Sequence, residues 1–353
     1  MRKRLAVFAA AVISTQAAWA TNYTIATYDF PGAVGTTIFG INAAGRIAGQ
    51  YIISGTTPAG LFGGMGFTER NGVYTSVGDS LPCRWTGRCR TAVWSVNVFG
   101  QMAGTFSGDV DFPGAFTQTP NGAPVIVQPP GYPNTAIQAL SGPNNFGEIA
   151  GCFSSFDYSD QQQIIFTQIG GQFTVVQLPL ADVNFACAFG LNNLGQLTGL
   201  VSTGTDSSSH GFILTGNQLQ LLEPPADWGY DGQSLRPVAI NDLGAAIGTY
   251  VDTSGQVHGF VAHGDQMTKV DFPGALNTDP THINNRGEIL GTYEIPTADG
   301  TGVQSLNFIL HAGVYSTVTL PLSGTVNITG MDNFGRLFGS YDSHGFVATP
   351  AAE

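Results

Sequence analysis

Three short stretches of this chain hold residue types that could bind a ligand or do chemistry. The first, 83–90, reads CRWTGRCR and offers guanidinium and indole groups at Arg84, Trp85 and Arg88. Arginine pairs bidentately with carboxylate or sulfate, and tryptophan offers a stacking face for a sugar ring. The stretch is therefore a candidate ligand loop, although an ordinary solvated loop has the same composition.

The second stretch combines two aromatic rings, two carboxylates and one basic residue within ten positions: Asp227, Trp228, Tyr230, Asp231 and Arg236. Such a set could hold a carbohydrate or supply an acid and a base. A long turn with a packed tryptophan is the alternative interpretation.

The third candidate is His282, with Asp279 before it, because a histidine facing a channel could titrate near neutral pH. A packed histidine is the alternative. Several turns also carry an aspartate, which indicates turn formation first and a calcium ligand second: Asp160, Asp206, Asp252, Asp299 and Asp342. The sequence has no nucleophile elbow, phosphate loop, zinc-protease motif or dinucleotide fingerprint, so catalytic residues stay unassigned.

A nine-residue pattern repeats along the chain and must position these candidates. It is apolar, Asn, two free positions, Gly, free, apolar, free, Gly, first seen as INAAGRIAG at 41–49. The Asn place recurs at steps of 43 to 55 residues and numbers the repeats 1 to 7: Asn42, Asn97, Asn144, Asn192, Asn241, Asn284 and Asp332. A period of this length with strand-like content is typical of a propeller.

Each copy predicts a hairpin. Asn followed three residues later by Gly matches a type I turn, and Asp332 preserves that chemistry. The second Gly indicates a bulge or a close approach of neighbouring backbone. A third apolar segment marked by Phe and a fourth ending near Pro complete four strands per copy, the blade of a β-propeller.

The two ends of the chain predict how the fold closes. The last copy stops before its fourth strand, and the segment 23–31 near the N-terminus is an unattached strand. We therefore predict an all-β, seven-bladed β-propeller of four-stranded blades, in which the N-terminal strand completes the last blade and removes a free edge.

The DFPGA segments at 29–33 and 271–275, the Asn-x-x-Gly hairpins and the His-Gly-Phe triplets at His210, His258 and His344 resemble the HAF-repeat family of extracellular bacterial proteins. The resemblance covers the mature chain and implies export and a repeat fold, with no reaction attached. A further DFPGA at 111–115 falls about one strand early for this pattern. We interpret the three histidines as scaffold, because equivalent places on different blades lie far apart.

Residues 1–20 have a basic start, an apolar run and an Ala-Trp-Ala end, which predicts a secretory signal followed by one domain, 21–353. The apolar run is too short to span a bilayer, so we predict export to the extracellular space or the periplasm without membrane insertion. A formal net charge of −12 disfavours nucleic acid as a partner.

The four cysteines of an exported chain permit disulfides. Cys83 and Cys89 bracket one loop, and Cys152 and Cys187 lie in strands of adjacent copies, so two bridges are predicted, with metal binding as the alternative.

The leading functional hypothesis is a non-catalytic scaffold that binds an extracellular glycan or protein. The alternative is a lyase or hydrolase of an acidic polysaccharide. No cofactor is predicted beyond the calcium alternative above.

Overall fold

The computed structural model describes residues 22–54, 64–78, 81, 90–107, 114–132, 135–155, 163–204 and 209–351. Strand β1 is Tyr23–Tyr28, and four strands follow for each of the first six repeats. Repeats 1 to 3 hold β2 (Gly35–Ile41), β3 (Ile47–Ile52), β4 (Gly64–Arg70), β5 (Val73–Val77), β6 (Arg90–Val96), β7 (Met102–Ser107), β8 (Gly114–Gln118), β9 (Val125–Val127), β10 (Thr135–Ser141), β11 (Ile149–Ser155), β12 (Gln163–Ile169) and β13 (Gln172–Val175).

Repeats 4 and 5 hold β14 (Val183–Leu191), β15 (Leu197–Thr203), β16 (His210–Thr215), β17 (Gln218–Leu222), β18 (Tyr230–Ile240), β19 (Ala246–Asp252), β20 (Val257–His263) and β21 (Gln266–Val270), with a 3-10 turn at Ala226–Trp228. Repeats 6 and 7 hold β22 (Asn277–Ile283), β23 (Ile289–Pro296), β24 (Val303–His311), β25 (Val314–Thr317), β26 (Val326–Met331), β27 (Leu337–Tyr341) and β28 (His344–Pro350).

The described strands form antiparallel four-stranded units. Five sheets have four strands each, and one of them is β26 to β28 with β1 added beside β28. The sixth sheet has eight strands, because β12 and β14 share one parallel pairing between Gln163 and Phe185. The prediction of an all-β propeller with four-stranded blades is confirmed at this level.

The repeated Asn-x-x-Gly segment forms the predicted type I turn. In repeat 2 the amide of Gly100 donates to the carbonyl of Asn97 at 2.9 Å, and Gly100 has a φ of 81°. Only glycine adopts that conformation at no steric cost, which explains its place in every copy. The two strands that flank the turn are therefore fixed by local chemistry.

The second Gly of the pattern lies where strand backbones approach closely. A Cβ on Gly104 would overlap the carbonyl oxygen of Ala92 in β6 and the ring of Phe116, which pairs with Gly104 from β8. The equivalent Phe of every repeat is fully buried: Phe67, Phe116, Phe166, Phe212, Phe260, Phe308 and Phe346. The Gly thus makes room for a fully buried aromatic ring in the core of its blade.

The hydrophobic core lies between neighbouring units. One cluster joins Ala48 and Val77 of repeat 1 to Val93 and Phe116 of repeat 2. Burial of this kind stabilises by about 25 cal/mol per Å² of apolar surface, so each unit depends on its neighbours. No described unit could keep this surface dry by itself.

One of the two predicted disulfides lies within the described residues. Cys152 in β11 and Cys187 in β14 form a disulfide with a Cα–Cα distance of 4.9 Å, as predicted. It joins repeats 3 and 4, the two units that share the eight-stranded sheet. Cys83 and Cys89 lie outside the described residues, so their pairing stays a prediction.

Candidate functional site

The six Asn-x-x-Gly turns and the equivalent Asp332 turn of repeat 7 lie on one surface, which we call the turn face. Each turn asparagine is 3–6% exposed. Its Oδ1 accepts from backbone amides of its own turn; at Asn97 these are the amides of Phe99 at 3.1 Å and Gln101 at 3.0 Å. The side chain therefore acts as the internal brace of the turn.

The same amide group also bridges to the next repeat. Asn97 Nδ2 donates to the carbonyl of Asn144 at 2.8 Å. The equivalent bond starts at each of the six asparagines, with lengths of 2.8–3.2 Å: Asn42, Asn97, Asn144, Asn192, Asn241 and Asn284. Repeats 1 to 6 are thus each tied to the next repeat by one buried asparagine side chain.

Repeat 7 makes the corresponding bond with a different residue. Asp332 has no donor for a neighbouring carbonyl. Arg336, four residues on, bonds the Asp332 carboxylate and donates from Nη2 to the carbonyl of Asn42 at 3.0 Å. The series of bonds therefore returns to the repeat from which it starts.

A second series of bonds runs one residue further along each turn. Asn145, Asn193, Asp242 and Asn285 each donate a backbone amide to a side-chain oxygen of the next repeat, at 2.7–2.9 Å. We call the residues that follow the turn asparagines the polar arc. Ala43 and Val98 have no side-chain oxygen to accept an amide from the preceding repeat, so the polar arc is incomplete at repeats 1 and 2. Nδ2 of Asn193 and Nδ2 of Asn285 both donate to the Asp242 carboxylate, so this part of the arc is already bonded internally.

Large apolar side chains project from the turns around this arc. They occupy the second position after the turn asparagine or aspartate in five repeats and are 56–71% exposed: Phe99, Phe146, Leu194, Leu243 and Phe334. We call these five residues the apolar crown. Exposed apolar groups gathered on one face mark interaction surfaces more often than scattered ones do.

Two concavities open on the turn face. A central depression of about 280 Å³ is lined by the turn residues, and a larger lateral cleft of about 670 Å³ lies between repeats 6 and 7. Phe334 lines both. The crown, the depression and the cleft therefore form one continuous surface.

The lateral cleft contains a small charged network. Glu288 Oε2 accepts from Arg286 Nη2 at 2.6 Å and from Asn284, and Glu288 Oε1 lies 3.4 Å from Nδ1 of His311. Burial, together with the Glu288 charge, raises the pKa of Tyr23 to about 12, so its hydroxyl stays protonated at neutral pH. The network presents donors beside an aromatic ring.

The structure places part of the second predicted stretch in the core of repeat 5. Trp228 stacks on Tyr250 with ring centroids 5.1 Å apart, and Tyr230 meets the same ring edge-on. Asp227 is exposed beside them. The packed-tryptophan alternative is therefore what the structure contains at Trp228.

Asp231 is used by its own turn. Partial desolvation raises its pKa, but bonds from the backbone amides of Gln233 and Ser234, each 2.8 Å, outweigh it and hold the pKa below its usual value. Asp231 stays ionised and already has donors. It is a poor general acid for this reason.

Arg236 and His282 lie on neighbouring strands. Arg236 in β18 lies 5.5 Å from the ring centre of Phe189, and its charge opposes the rise in the pKa of Asp279 that burial causes. His282 in β22 keeps partial solvent contact yet is densely surrounded by protein, and this desolvation lowers its pKa to about 4. The expectation that His282 titrates near neutral pH is therefore wrong, because burial favours the neutral ring.

The described members of the predicted sites do not converge. Tyr230 pairs with Asp252 at one end of β19, whereas His282 lies one residue before the end of β22 that reaches the turn face. A seven-residue strand such as β19 spans about 20 Å, so these groups lie near opposite faces. Arg84, Trp85 and Arg88 lie outside the described residues and stay predictions.

The repeated histidines agree with the scaffold interpretation. Each bonds a carboxylate at the end of the fourth strand of its own unit: His210 to Glu223 at 3.2 Å, His258 to Asp271 at 3.1 Å and His344 to Asp29 at 2.9 Å. The pair His344 and Asp29 joins residues from the two ends of the chain. In repeats 5 and 7 this explains why His-Gly-Phe and Asp-Phe-Pro occur together, whereas in repeat 4 Glu223 takes the place of the aspartate.

The described ranges hold no feature that indicates a metal site or a membrane-spanning helix. Within them, no group of three or more His, Cys, Asp or Glu is placed to hold a metal ion. Asp252 and Asp299 accept hydrogen bonds inside their own turns. Calcium binding stays a prediction. Over the same ranges, no helix has the length and apolar character needed to cross a membrane.

The sequence interpretation missed the turn face. A signal for the crown was present, since an apolar residue follows the turn position by two in five of seven repeats. The cleft had no comparable signal, because it joins Tyr23 to residues near the other end of the chain.

No family model matches the chain, and no curated protein matches it. Among solved structures it is similar to Pyrococcus horikoshii acylaminoacyl peptidase, with 9% identity and a TM-score of 0.45, over 80% of this chain and 52% of that chain. It is similar to Porphyromonas gingivalis dipeptidyl peptidase 4, with 10% identity and a TM-score of 0.46, over 84% of this chain and 47% of that chain.

A third similar structure is a mutant Aleuria aurantia lectin in complex with alpha-methyl-L-fucoside, with 10% identity and a TM-score of 0.40, over 83% of this chain and 96% of that chain. The present chain spans about half the length of the two peptidases. With TM-scores below 0.5, these similarities carry no inference about activity or ligand.

Proposed function

We propose that the chain forms a closed, seven-bladed propeller that acts as a non-catalytic scaffold and binds an extracellular protein through its turn face. The observation that carries the functional part is the apolar crown. Five large apolar side chains, each more than half exposed, occupy equivalent positions in the turns whose first residues line the depression. Burying them on a partner would supply the main driving force for association.

The blade count rests on treating the eight-stranded sheet as two blades. Each half has its own turn and its own four antiparallel strands, and a single residue pair links them. Closure is supported by three contacts between repeats 7 and 1. They are the Arg336 bond to Asn42, the Thr329 hydroxyl bond to the Ile38 carbonyl, and a shared core in which Phe338 packs with Ile38.

A protein fits the crown better than a saccharide does. Leu194 and Leu243 have no aromatic face for a sugar ring, and the amides of the polar arc already bond their neighbours. A saccharide would find few free donors at the centre of this face. An apolar patch with a satisfied polar centre instead resembles the core and rim of a protein interface.

Export is part of the proposal. The Cys152–Cys187 disulfide is typical of an oxidising compartment, extracellular or periplasmic. The predicted signal at 1–20 lies outside the described residues. Membership of the HAF-repeat family stays a prediction, since no family model matches the chain.

No described residue favours the enzymatic alternative. It requires Arg84, Arg88, Tyr230, Asp231 or His282 to meet at one mouth of the channel. Tyr230 and His282 lie near opposite faces, and Asp231 is held by its own turn.

The test is capture followed by titration. The chain without residues 1–20 is immobilised and exposed to the extracellular fraction of the organism that encodes it. Captured proteins are identified by mass spectrometry and titrated singly. The Phe99→Ser/Phe146→Ser variant should weaken the specific partner at least about tenfold, because apolar anchors carry most interface energy.

The matched control is Val34→Ser/Leu276→Ser. These side chains are 50% and 41% exposed and lie in loops at the opposite ends of their strands from the turns. The proposal would be contradicted by a partner that binds the crown variant as tightly as the parent chain but does not bind the control variant. The absence of any saturable protein partner would also contradict it.

A further inference from the structure

The lateral cleft is built by parts of the chain that are remote in sequence. Its walls come from the turns of repeats 6 and 7, from the β24–β25 hairpin and from the paired segments Asn22–Tyr23 and Pro350–Ala351. The amide of Ala351 donates to the carbonyl of Asn22 at 2.7 Å, which holds the last wall together. At about 670 Å³, the cleft lies within the range of about 300–1,000 Å³ that small-molecule sites occupy.

One side of the cleft is a fixed set of polar groups. Glu288 is held by Asn284, Arg286 and His311, so its carboxylate and the guanidinium are pre-positioned. Arg286 donates from Nε and Nη2 to Oε2 of that carboxylate, at 3.2 and 2.6 Å. Among the described residues its Nη1 has no partner, and it remains available to a ligand oxygen.

The other side of the cleft is apolar. The Phe334 ring is 56% exposed at the rim, and Ile309, Val318 and Met331 line the wall. Ser316 and Thr319 place hydroxyl groups among them. A ligand here meets a ring face and C–H groups on one side and hydrogen-bonding groups on the other.

The charge of the cleft selects against ionic ligands. The Arg286 guanidinium is compensated by Glu288, so neither charge is left to recognise an opposite one. The chain as a whole carries a formal charge of −12, which repels acidic ligands. A neutral, polyhydroxylated ligand with an apolar C–H face meets all these conditions.

We propose that the lateral cleft binds a neutral saccharide, a mono- or disaccharide unit of an extracellular glycan. Arg286 Nη1 and the Tyr23 hydroxyl donate to its oxygens, and the Phe334 ring packs against its C–H face. This goes beyond protein binding at the crown, because the cavity and the ligand class are different. The two sites share only Phe334, which is left unchanged in the tests.

The experiment titrates the chain without residues 1–20 with methyl hexopyranosides, cellobiose, N,N′-diacetylchitobiose and xylobiose, each to about 10 mM, well above a weak Kd of about 1 mM. Binding is read by calorimetry and by amide NMR shifts. At least one neutral probe should bind, with shifts confined to residues 22–23, 286–288, 309–319, 331–335 and 350–351. Digalacturonate, the acidic probe, should bind at least about tenfold more weakly.

Two variants locate the site. Tyr23→Phe keeps the ring and removes the hydroxyl, and Arg286→Gln removes the free guanidinium nitrogen; each should raise the Kd about fivefold or more. The matched control is Tyr74→Phe, since burial raises the pKa of the Tyr74 hydroxyl as it does for Tyr23, but Tyr74 lies outside the cleft. Thermal melts of all three variants confirm that they are folded.

Four outcomes would overturn the proposal: no neutral probe binds, the shifts map elsewhere, both cleft variants bind as well as the parent chain, or the acidic probe binds best. The Phe99→Ser/Phe146→Ser variant should bind the saccharide normally. Failure at the crown and failure at the cleft are therefore separate results.

Discussion

Six junctions between consecutive repeats are bridged by an asparagine amide, whereas repeat 7 reaches repeat 1 through an arginine. In both cases a carbonyl oxygen at the turn receives one side-chain donor from the neighbouring repeat. The asparagine braces its own turn and donates outward with a single side chain. At the last junction Asp332 keeps the brace, and Arg336 takes over the donation.

This comparison shows that the repeat conserves a hydrogen bond rather than a residue. A carboxylate in the Asn place is tolerated only because a compensating cation stands four residues away. The exception occurs where the first and last repeats of the chain meet. It is also where His344 bonds Asp29 and where β1 joins β28.

The largest expected effect comes from breaking the exceptional junction. Asp332 is 9% exposed and Arg336 18% exposed, so Arg336→Ala leaves a nearly buried carboxylate without its cation and an Asn42 carbonyl without its donor. We expect a loss of about 3–5 kcal/mol in the free energy of unfolding, measured by urea denaturation.

The control is Arg286→Ala, which removes an arginine that is 49% exposed and also pairs with a carboxylate. Glu288 is 15% exposed but keeps Asn284 and His311 as partners, so losing the half-exposed guanidinium should cost at most about 1 kcal/mol. Equal losses for the two variants would show that the Arg336 bond is ordinary surface electrostatics.

The next prediction places the Asp–Arg arrangement of repeat 7 at the junction of repeats 4 and 5, which an asparagine bridges in the parent chain. Asn192→Asp removes the donor to the Asn241 carbonyl, 2.8 Å away, and should cost about 2–3 kcal/mol. Adding Gln196→Arg, in the place equivalent to Arg336, should recover at least half of that loss. Denaturation of the single and double variants measures this.

Gln196→Arg alone is the control for the transferred junction and should not stabilise the chain. If Gln196→Arg adds as much to the parent chain as to Asn192→Asp, the two positions are not coupled in the way that Asp332 and Arg336 are.

A smaller effect concerns pH at the junction of repeats 6 and 7. Burial lowers the pKa of His282 to about 4 from the usual 6.5, so the unfolded chain binds the proton more readily between these values. Stability is therefore fully present above about pH 6.5 and falls as the pH drops toward 4, by at most about 3 kcal/mol. His282→Gln should flatten the dependence of unfolding free energy on pH in this window.

The matched variant for the pH test is His311→Gln, because the His311 side chain is 53% exposed. It should leave the slope unchanged. A slope that survives His282→Gln would assign the pH dependence to other groups.

The smallest effect is expected at the crown. Phe99→Ser/Phe146→Ser replaces side chains that are 70% and 71% exposed and should change the unfolding free energy by less than about 0.5 kcal/mol. Phe212→Ala, at a fully buried ring, should cost about 3–5 kcal/mol. A crown variant as damaging as Phe212→Ala would mean that the crown serves folding rather than binding.

The parts of the fold that depend on short-range chemistry could be predicted from the sequence. The turn at Asn97 and Gly100 needs only an Asx side chain and a residue with positive φ, both visible in four positions. The close backbone approach at the second Gly, seen where Gly104 faces the Ala92 carbonyl, is one of the two predicted alternatives, whereas its contact with the Phe116 ring was not predicted. The Cys152–Cys187 bridge followed from placing both residues in adjacent copies.

The parts that depend on long-range contacts could not be predicted. The partner of an asparagine Nδ2 lies 43 to 55 residues away, and no local pattern names it. The lateral cleft joins Tyr23 to Phe334, and the position of Trp228 was decided by the aromatic ring of Tyr250. Sequence analysis favoured unusual loops, whereas the structure places its concave surface at the repeated turns.

The most direct test of closure is to convert the exceptional junction into an ordinary one. Asp332→Asn/Arg336→Gln recreates the Asn192 and Gln196 pair, in which Asn192 Nδ2 donates to both the next carbonyl and Gln196. If repeat 7 contacts repeat 1 as the other repeats contact each other, the double variant should unfold within about 1 kcal/mol of the parent chain, although Arg336→Gln alone loses several. A double variant as unstable as Arg336→Gln alone would contradict the account.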